Sequence, residues 1–177
     1  MLFYKNSNTV VLLDDNLSEI QPLNFNTHQP LKTVGFATKA NQNALWIFNI
    51  DSQELEIYNY QRHTTEAQSL PINGRVIQQE SNFNNCWLLT QTELLHYNSY
   101  GSFINAYPAK DITKIAFYDT NLLVLKNGRL ERLNLQTHEM STLKLPEIAV
   151  KDFSLVGENL YLYDGNFVYH YHLNQSN

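Results

Sequence analysis

Short apolar and aromatic runs recur along the chain, each followed by a polar turn and a second run that alternates more strictly. Leu2-Phe3-Tyr4-Lys5-Asn6 aligns with Leu122-Leu123-Val124-Leu125-Lys126 and with Leu160-Tyr161-Leu162-Tyr163-Asp164. Continued without a gap, Val10-Val11-Leu12-Leu13-Asp14 meets Leu130-Glu131-Arg132-Leu133-Asn134 and Val168-Tyr169-His170-Tyr171-His172. Cys86-Trp87-Leu88-Leu89-Thr90 with Leu94-Leu95-His96-Tyr97-Asn98 fits the same frame. So does Leu45-Trp46-Ile47-Phe48-Asn49 with Leu55-Glu56-Ile57-Tyr58-Asn59, given two extra turn residues. The copies lie roughly 36–45 residues apart, the period of four-stranded propeller blades rather than of shorter solenoid repeats.

Each copy predicts antiparallel strands. Its turn is Asn6-Ser7-Asn8, Asp51-Ser52-Gln53, Gln91-Thr92, Asn127-Gly128 or Asp164-Gly165-Asn166. Asn-Gly and Asp-Gly supply the positive φ of a tight hairpin. A third strand is expected at Glu19 to Phe25, Thr64 to Leu70, Ser102 to Tyr107 and Met140 to Leu145. Pro30, Pro71, Pro108 and Pro146 then fall at one repeating place, where a residue without an N–H suits a crossing loop. A further strand follows each proline, around Val34-Gly35-Phe36, Val76-Ile77-Gln78, Ile115-Ala116-Phe117 and Phe153-Ser154-Leu155. A small residue between bulky ones in three of these is expected where inner strands crowd around an axis. No stretch carries a convincing 3.6-residue period, so no helix is predicted.

With strands labelled A to D from the axis outward, the chain reads as an all-β array of four-stranded antiparallel blades. B, C and D of one blade occupy about 1–25. Full blades cover about 31–72, 73–110 and 111–147, and A, B and C of a last blade cover about 148–173. On these repeats the whole chain resembles the β-propeller superfamily. The WD40 and kelch marks are absent. The pairs Leu-Trp-Ile-Phe and Leu-Tyr-Leu-Tyr look more like NHL or TolB-like propellers, and like uncharacterised propeller proteins of the bacterial cell envelope. About four and a half blades are expected. A missing A strand would remove about three buried side chains at roughly 1.5–3 kcal/mol each, so an N-terminally incomplete piece of a larger propeller is expected. The alternative is a gapped ring or open array whose unpaired blade edges invite self-association.

Composition narrows the partners. Lys+Arg is 12 and Asp+Glu is 17, a net charge of −5, which disfavours nucleic acid and anionic membrane. Charged residues are 16% and aromatics 12%, which argues against disorder. Amides supply roughly a fifth of the chain, scattered rather than in tracts, and read as an uncharged, water-bonding surface. Cys86 is the only cysteine, so no internal disulfide framework and no Cys-rich zinc site is expected. Its column holds Leu2, Leu45, Leu122 and Leu160, which makes it a core residue. Trp46 and Trp87 share a column with Phe3, Leu123 and Tyr161 and read as blade packing. No apolar run reaches the ~20 residues of a membrane helix, and Met1 to Asn6 lacks the pattern of an export signal.

Candidate chemistry is sparse. No Gly-x-Ser-x-Gly, Gly-x-Gly-x-x-Gly or phosphate-binding Gly-Lys-Ser/Thr loop occurs. His170 and His172 lie two apart on one strand face and are a weak metal candidate lacking further ligands. The propeller resemblance gathers the D-to-A and B-to-C connections on one face. There Arg75, Lys110, Asp111, Lys126, Arg129, Glu147 and Asp164 would meet, suited to a polar ligand or a peptide. The leading expectation is therefore a non-enzymatic platform for a protein or small polar ligand, without cofactor. Its setting is the periplasm or cell envelope by resemblance alone. The alternative is a divalent-metal hydrolase at the channel mouth, its Ca²⁺ recruited by Glu80, Asp119 and Asp152.

Overall fold

The computed structural model describes residues 1–41, 43–143, 145–146 and 148–173. Its strands form five antiparallel sheets, each ordered as in the sequence. Sheet one holds β1 (Leu2–Tyr4), β2 (Thr9–Leu13) and β3 (Glu19–Asn24). Sheet two holds β4 (Val34–Lys39), β5 (Ala44–Asn49), β6 (Glu54–Asn59) and β7 (Thr64–Gln68). Sheet three holds β8 (Val76–Ser81), β9 (Asn85–Thr90), β10 (Glu93–Asn98) and β11 (Phe103–Pro108). Sheet four holds β12 (Ile112–Tyr118), β13 (Asn121–Lys126), β14 (Arg129–Asn134) and β15 (Met140–Thr142). Sheet five holds β16 (Asp152–Val156), β17 (Asn159–Tyr163) and β18 (Val168–His172). Among the described residues the one helical element is a 3-10 turn, Lys5–Ser7.

The chain divides into two compact units, Met1–Pro108 with sheets one to three and Ala109–Asn177 with sheets four and five. Within the first unit, β5 explains the packing. All six of its residues are buried, as a strand covered on both faces requires. Successive side chains point to opposite faces. Trp46 and Phe48 therefore join Leu55, Ile57, Cys86 and Leu88 in one cluster. Leu45 and Ile47 join Val10, Leu12, Leu23 and Phe25 in another. The second unit repeats the arrangement, with Leu123, Leu125 and Leu130 of sheet four packed on Phe153, Leu160 and Leu162 of sheet five. The expected columns carry through in sheets two to five, where Trp46, Trp87, Leu123 and Tyr161 face Ile57, His96, Arg132 and His170. Sheet one departs from them: Phe3 faces Val10 where the ungapped frame requires Leu12, and Leu2, expected in the core column of Cys86, is 47% exposed. Trp46 and Trp87 occupy equivalent positions on β5 and β9 and are 0% and 1% exposed.

Three local expectations change. Pro108 is the last residue of β11, paired with Glu93, rather than part of a crossing loop. It tolerates that place because β11 is an edge strand. β15 stops at Thr142, short of the expected Leu145. Gly35 is crowded by its own sheet: a Cβ there would lie 2.8 Å from Ile50 Cγ1. The notch admits the side chain that follows β5.

Many amides fasten turns. In sheets one to four, where the strand after the central hairpin turn ends, one side-chain oxygen accepts two backbone N–H groups. Asp14 takes those of Asn16 and Ser18, and Asn59 those of Gln61 and Arg62. Asn98 takes those of Tyr100 and Ser102, and Asn134 those of Gln136 and Thr137. These are Asx-type turns, which Asn and Asp form because their side chains reach the backbone two residues on.

Candidate functional site: the hairpin-turn and crossover end

At one end of each unit, the segments crossing from sheet to sheet are stitched onto hairpin turns. Asn8, at φ 52°, donates to the Lys32 carbonyl at 2.6 Å and accepts Val34 N–H at 2.9 Å. Ile50 N–H donates to the Thr33 carbonyl at 2.8 Å, and Ile72 N–H to that of Gln53 at 2.7 Å. In the second unit, Asn127 N–H donates to the Asp111 carbonyl at 3.4 Å, and Val150 N–H to that of Gly128 at 2.8 Å. Lys151 N–H donates to the Tyr163 carbonyl at 2.8 Å. Within each unit, residues distant in sequence are thereby held on one rim.

Each unit has a cleft at this end. The first, of about 600 Å³, has apolar walls of Phe36, Phe48, Ile50, Ile72 and Val76, with Lys5 and Arg75 also lining it. The second, of about 480 Å³, has Leu130, Leu143, Leu145, Ile148 and Leu162 for walls and Arg129 as its cation. In both, the crossover that leaves a sheet passes beside that sheet's hairpin turn.

The expected residues divide between these places. Arg75 lies in the first unit's cleft. Lys110, Asp111, Lys126, Arg129 and Asp164 belong to the second unit. Of these, Arg129 lines its cleft and faces Lys126 across the β13–β14 hairpin. Asp111, at φ 69°, contributes its carbonyl to the stitch. Asp164 fastens a turn: its carboxylate accepts Phe167 and Asn166 N–H, both at 2.7 Å, and the Tyr169 hydroxyl at 2.9 Å. The Phe167 and Asn166 N–H groups hold it below the usual carboxylate range. Glu147 lies outside the described residues.

The metal candidates are dispersed. Glu80 accepts Gln78 Nε2 at 2.8 Å and belongs to the first unit. In the second unit, Asp152 opens β16 and pairs with Lys114 at 2.7 Å, a contact that lowers its pKa. Asp119 follows the last residue of β12, so it lies at the opposite end of its strand from the stitched rim. His172 meets Glu158 at 3.2 Å, while His170 stacks on Tyr161 at 4.9 Å and lies 2.8 Å from Asn159 Oδ1. Among the described residues no three His, Cys, Asp or Glu side chains group to hold a metal ion.

Two features escaped the sequence. Lys5 enters the first cleft because β1 ends at Tyr4 and Lys5 falls in the hairpin turn. The same turn logic had selected Lys126 and Asp164. His170 is also one of a pair: His96 stacks on Trp87 at 5.0 Å and lies 2.8 Å from Asn85 Oδ1. The spacing of Asn85, Trp87 and His96 equals that of Asn159, Tyr161 and His170, and that was the available signal.

No family model matches the chain, and no curated protein matches it either. Solved structures do. The Kluyveromyces lactis Hsv2 structure gives a TM-score of 0.70 at 11% identity, over 97% of this chain and 59% of that one. The computationally designed Ika8 protein gives 0.63 at 8% identity, over 82% of this chain and 48% of that one. The fold is that of a β-propeller, with five blade sheets. The designed Ika4 protein gives 0.60 at 10% identity, over 83% of this chain and 94% of that one. The chain thus spans between 48% and 61% of the length of the first four propeller structures it matches. At 8–12% identity these likenesses concern the fold.

Proposed function

We propose that this propeller is a non-enzymatic platform that binds a protein or a small polar ligand on its stitched rim. One observation carries this: each unit has, at the hairpin-turn end, an apolar cleft with cationic side chains in its lining. Such a concavity, with few polar groups to fix orientation, is the usual form of a binding site. Backbone hydrogen bonds hold the rim, so its residues are presented without a large ordering cost on binding. An NHL- or TolB-like affinity and a bacterial-envelope setting belong to the same proposal, resting on the aromatic strand pairs.

A photo-crosslinking residue at position 73, on the rim, and another at position 83, in the β8–β9 turn at the opposite end, test the proposal. In extract from cells that make the protein, adducts should form from position 73 and not from position 83. Equal capture from both, or none from the rim, would overturn it. Ca²⁺ should leave the melting temperature unchanged. A rise abolished by Asp152→Asn would favour a metal-dependent hydrolase instead.

A further inference from the structure

We infer that the first unit's cleft takes a carboxylate carried on an apolar body, the apolar part against Phe36 and Ile50 and the carboxylate at Lys5 and Arg75. This rests on the rim-platform proposal and names the ligand chemistry of one of its clefts.

The charge is the first argument. In a chain of net charge −5, this cleft is lined by two cations and no carboxylate. Elsewhere Lys32, Arg62 and Lys114 each meet an acidic side chain within 4.0 Å. Among the described residues, Lys5 and Arg75 form no such pair. Lys5 is also kept over the wall, its Nζ 5.4 Å from the Phe36 ring centre. There the ring face attracts the ammonium.

The second argument is the match between wall and rim. Phe48, Ile72 and Val76 are 4–7% exposed and form a firm apolar base. Ile50 is 37% exposed, seated beside the Gly35 notch. A volume of about 600 Å³ admits a phenyl-sized or leucine-sized group with its linker. A guanidinium presents a planar fork that matches a carboxylate. A dianion such as phosphate would lose more hydration against the apolar wall, so a monoanion is favoured.

The source of the carboxylate, a free small acid or a peptide's C-terminus, is separated by the probes. Amide NMR spectra of the full chain are followed with 4-phenylbutyrate, its primary amide, the peptide acetyl-Gly-Leu-Phe with a free C-terminus, its C-terminal amide, and inorganic phosphate. Both acids should shift the Gly35, Phe36, Gly74 and Arg75 amides, and both amides should bind at least about tenfold more weakly, the scale of one lost charge-assisted hydrogen bond. The tighter acid identifies the source. The double variant Lys5→Ala, Arg75→Ala should lose about tenfold or more in acid affinity. Its spectrum elsewhere should be unchanged, since both side chains are exposed. Gly35→Ala, which displaces Ile50, should weaken both acids with the cations intact. Amides binding as tightly as acids, phosphate displacing the acids at equal concentration, or no shift in the cleft would each overturn the inference. Shifts confined to residues around Arg129 would overturn it and leave the platform standing. The platform itself is judged separately, by the crosslinking and Ca²⁺ outcomes.

Discussion

A single side-chain oxygen decides several turns, and that scale is where composition misled. The amides were read as solvated surface, yet Asn98 and Asn134 each accept two backbone N–H groups. Composition cannot separate the two roles. Position can, because Asn59, Asn98 and Asn134 recur where the third strands of sheets two, three and four end. Asn98→Ala should cost about 1 kcal/mol in urea unfolding, since the freed N–H groups can turn to water. Glu56 is a harder case. It is 2% exposed and accepts from Lys32 at 2.6 Å, Asn49 at 2.9 Å and Thr65 at 2.5 Å. Glu56→Ala strands the Lys32 ammonium, whose side chain is 10% exposed, and should cost about 3–5 kcal/mol in the same titration. His28 adds a pH dependence. It packs edge-on to Phe25 at 5.9 Å and lies 4.6 Å from His63. Burial first, and His63 second, hold its pKa below the ordinary imidazole value of 6.5. As pH falls through 6.5 the unfolded chain takes up this proton before the folded one does. Stability should therefore drop on acidification from pH 7.5 toward 5 and stay lost below the folded pKa. A His28→Phe variant should show a shallower drop in urea midpoint over that range.

Among the elements, the repeat made the hairpins legible and their exceptions hard to see. Aligning five apolar runs was enough to place Trp46 and Trp87 in one column, because a period of two fixes which face each side chain takes. Both are buried, so Trp46→Ala and Trp87→Ala should each cost about 3–5 kcal/mol by urea unfolding. Tyr161 shares the column but is 37% exposed. Tyr161→Ala should cost clearly less, and parity among the three variants would contradict the assignment of faces. The partner column holds the unlike residues Ile57, His96, Arg132 and His170. In sheets three and five the histidine answers an aromatic and an asparagine, so what repeats there is a triplet rather than a residue. Strand ends were less legible. Nothing in Met140 to Leu145 marks a stop at Thr142, because strand length depends on the neighbouring ladder as much as on side-chain preference.

For the molecule as a whole, the fold could be read from the sequence and the cleft could not. Blade period survives at 8–12% identity to solved propellers because it depends on alternation and turns. A cleft wall depends on which turns meet, and Lys5 and Arg75 come from different sheets. The two units also set up a test that the sequence supplies with its own probes. Trp46, Trp87 and Cys86 all lie in Met1–Pro108, and the chain has no other tryptophan or cysteine. Cys86 is 0% exposed, and burial pushes its thiol pKa up, so it should react with a disulfide reagent only when its cluster opens. Tryptophan fluorescence and thiol labelling therefore report the first unit, while far-ultraviolet circular dichroism reports both. The fraction of surface buried on folding falls as size falls, and the second unit is the smaller. It should open at lower urea. Circular dichroism should begin to fall before fluorescence changes or Cys86 becomes reactive, and the latter two should move together. One transition superimposable by all three probes would show instead that the two units unfold as one.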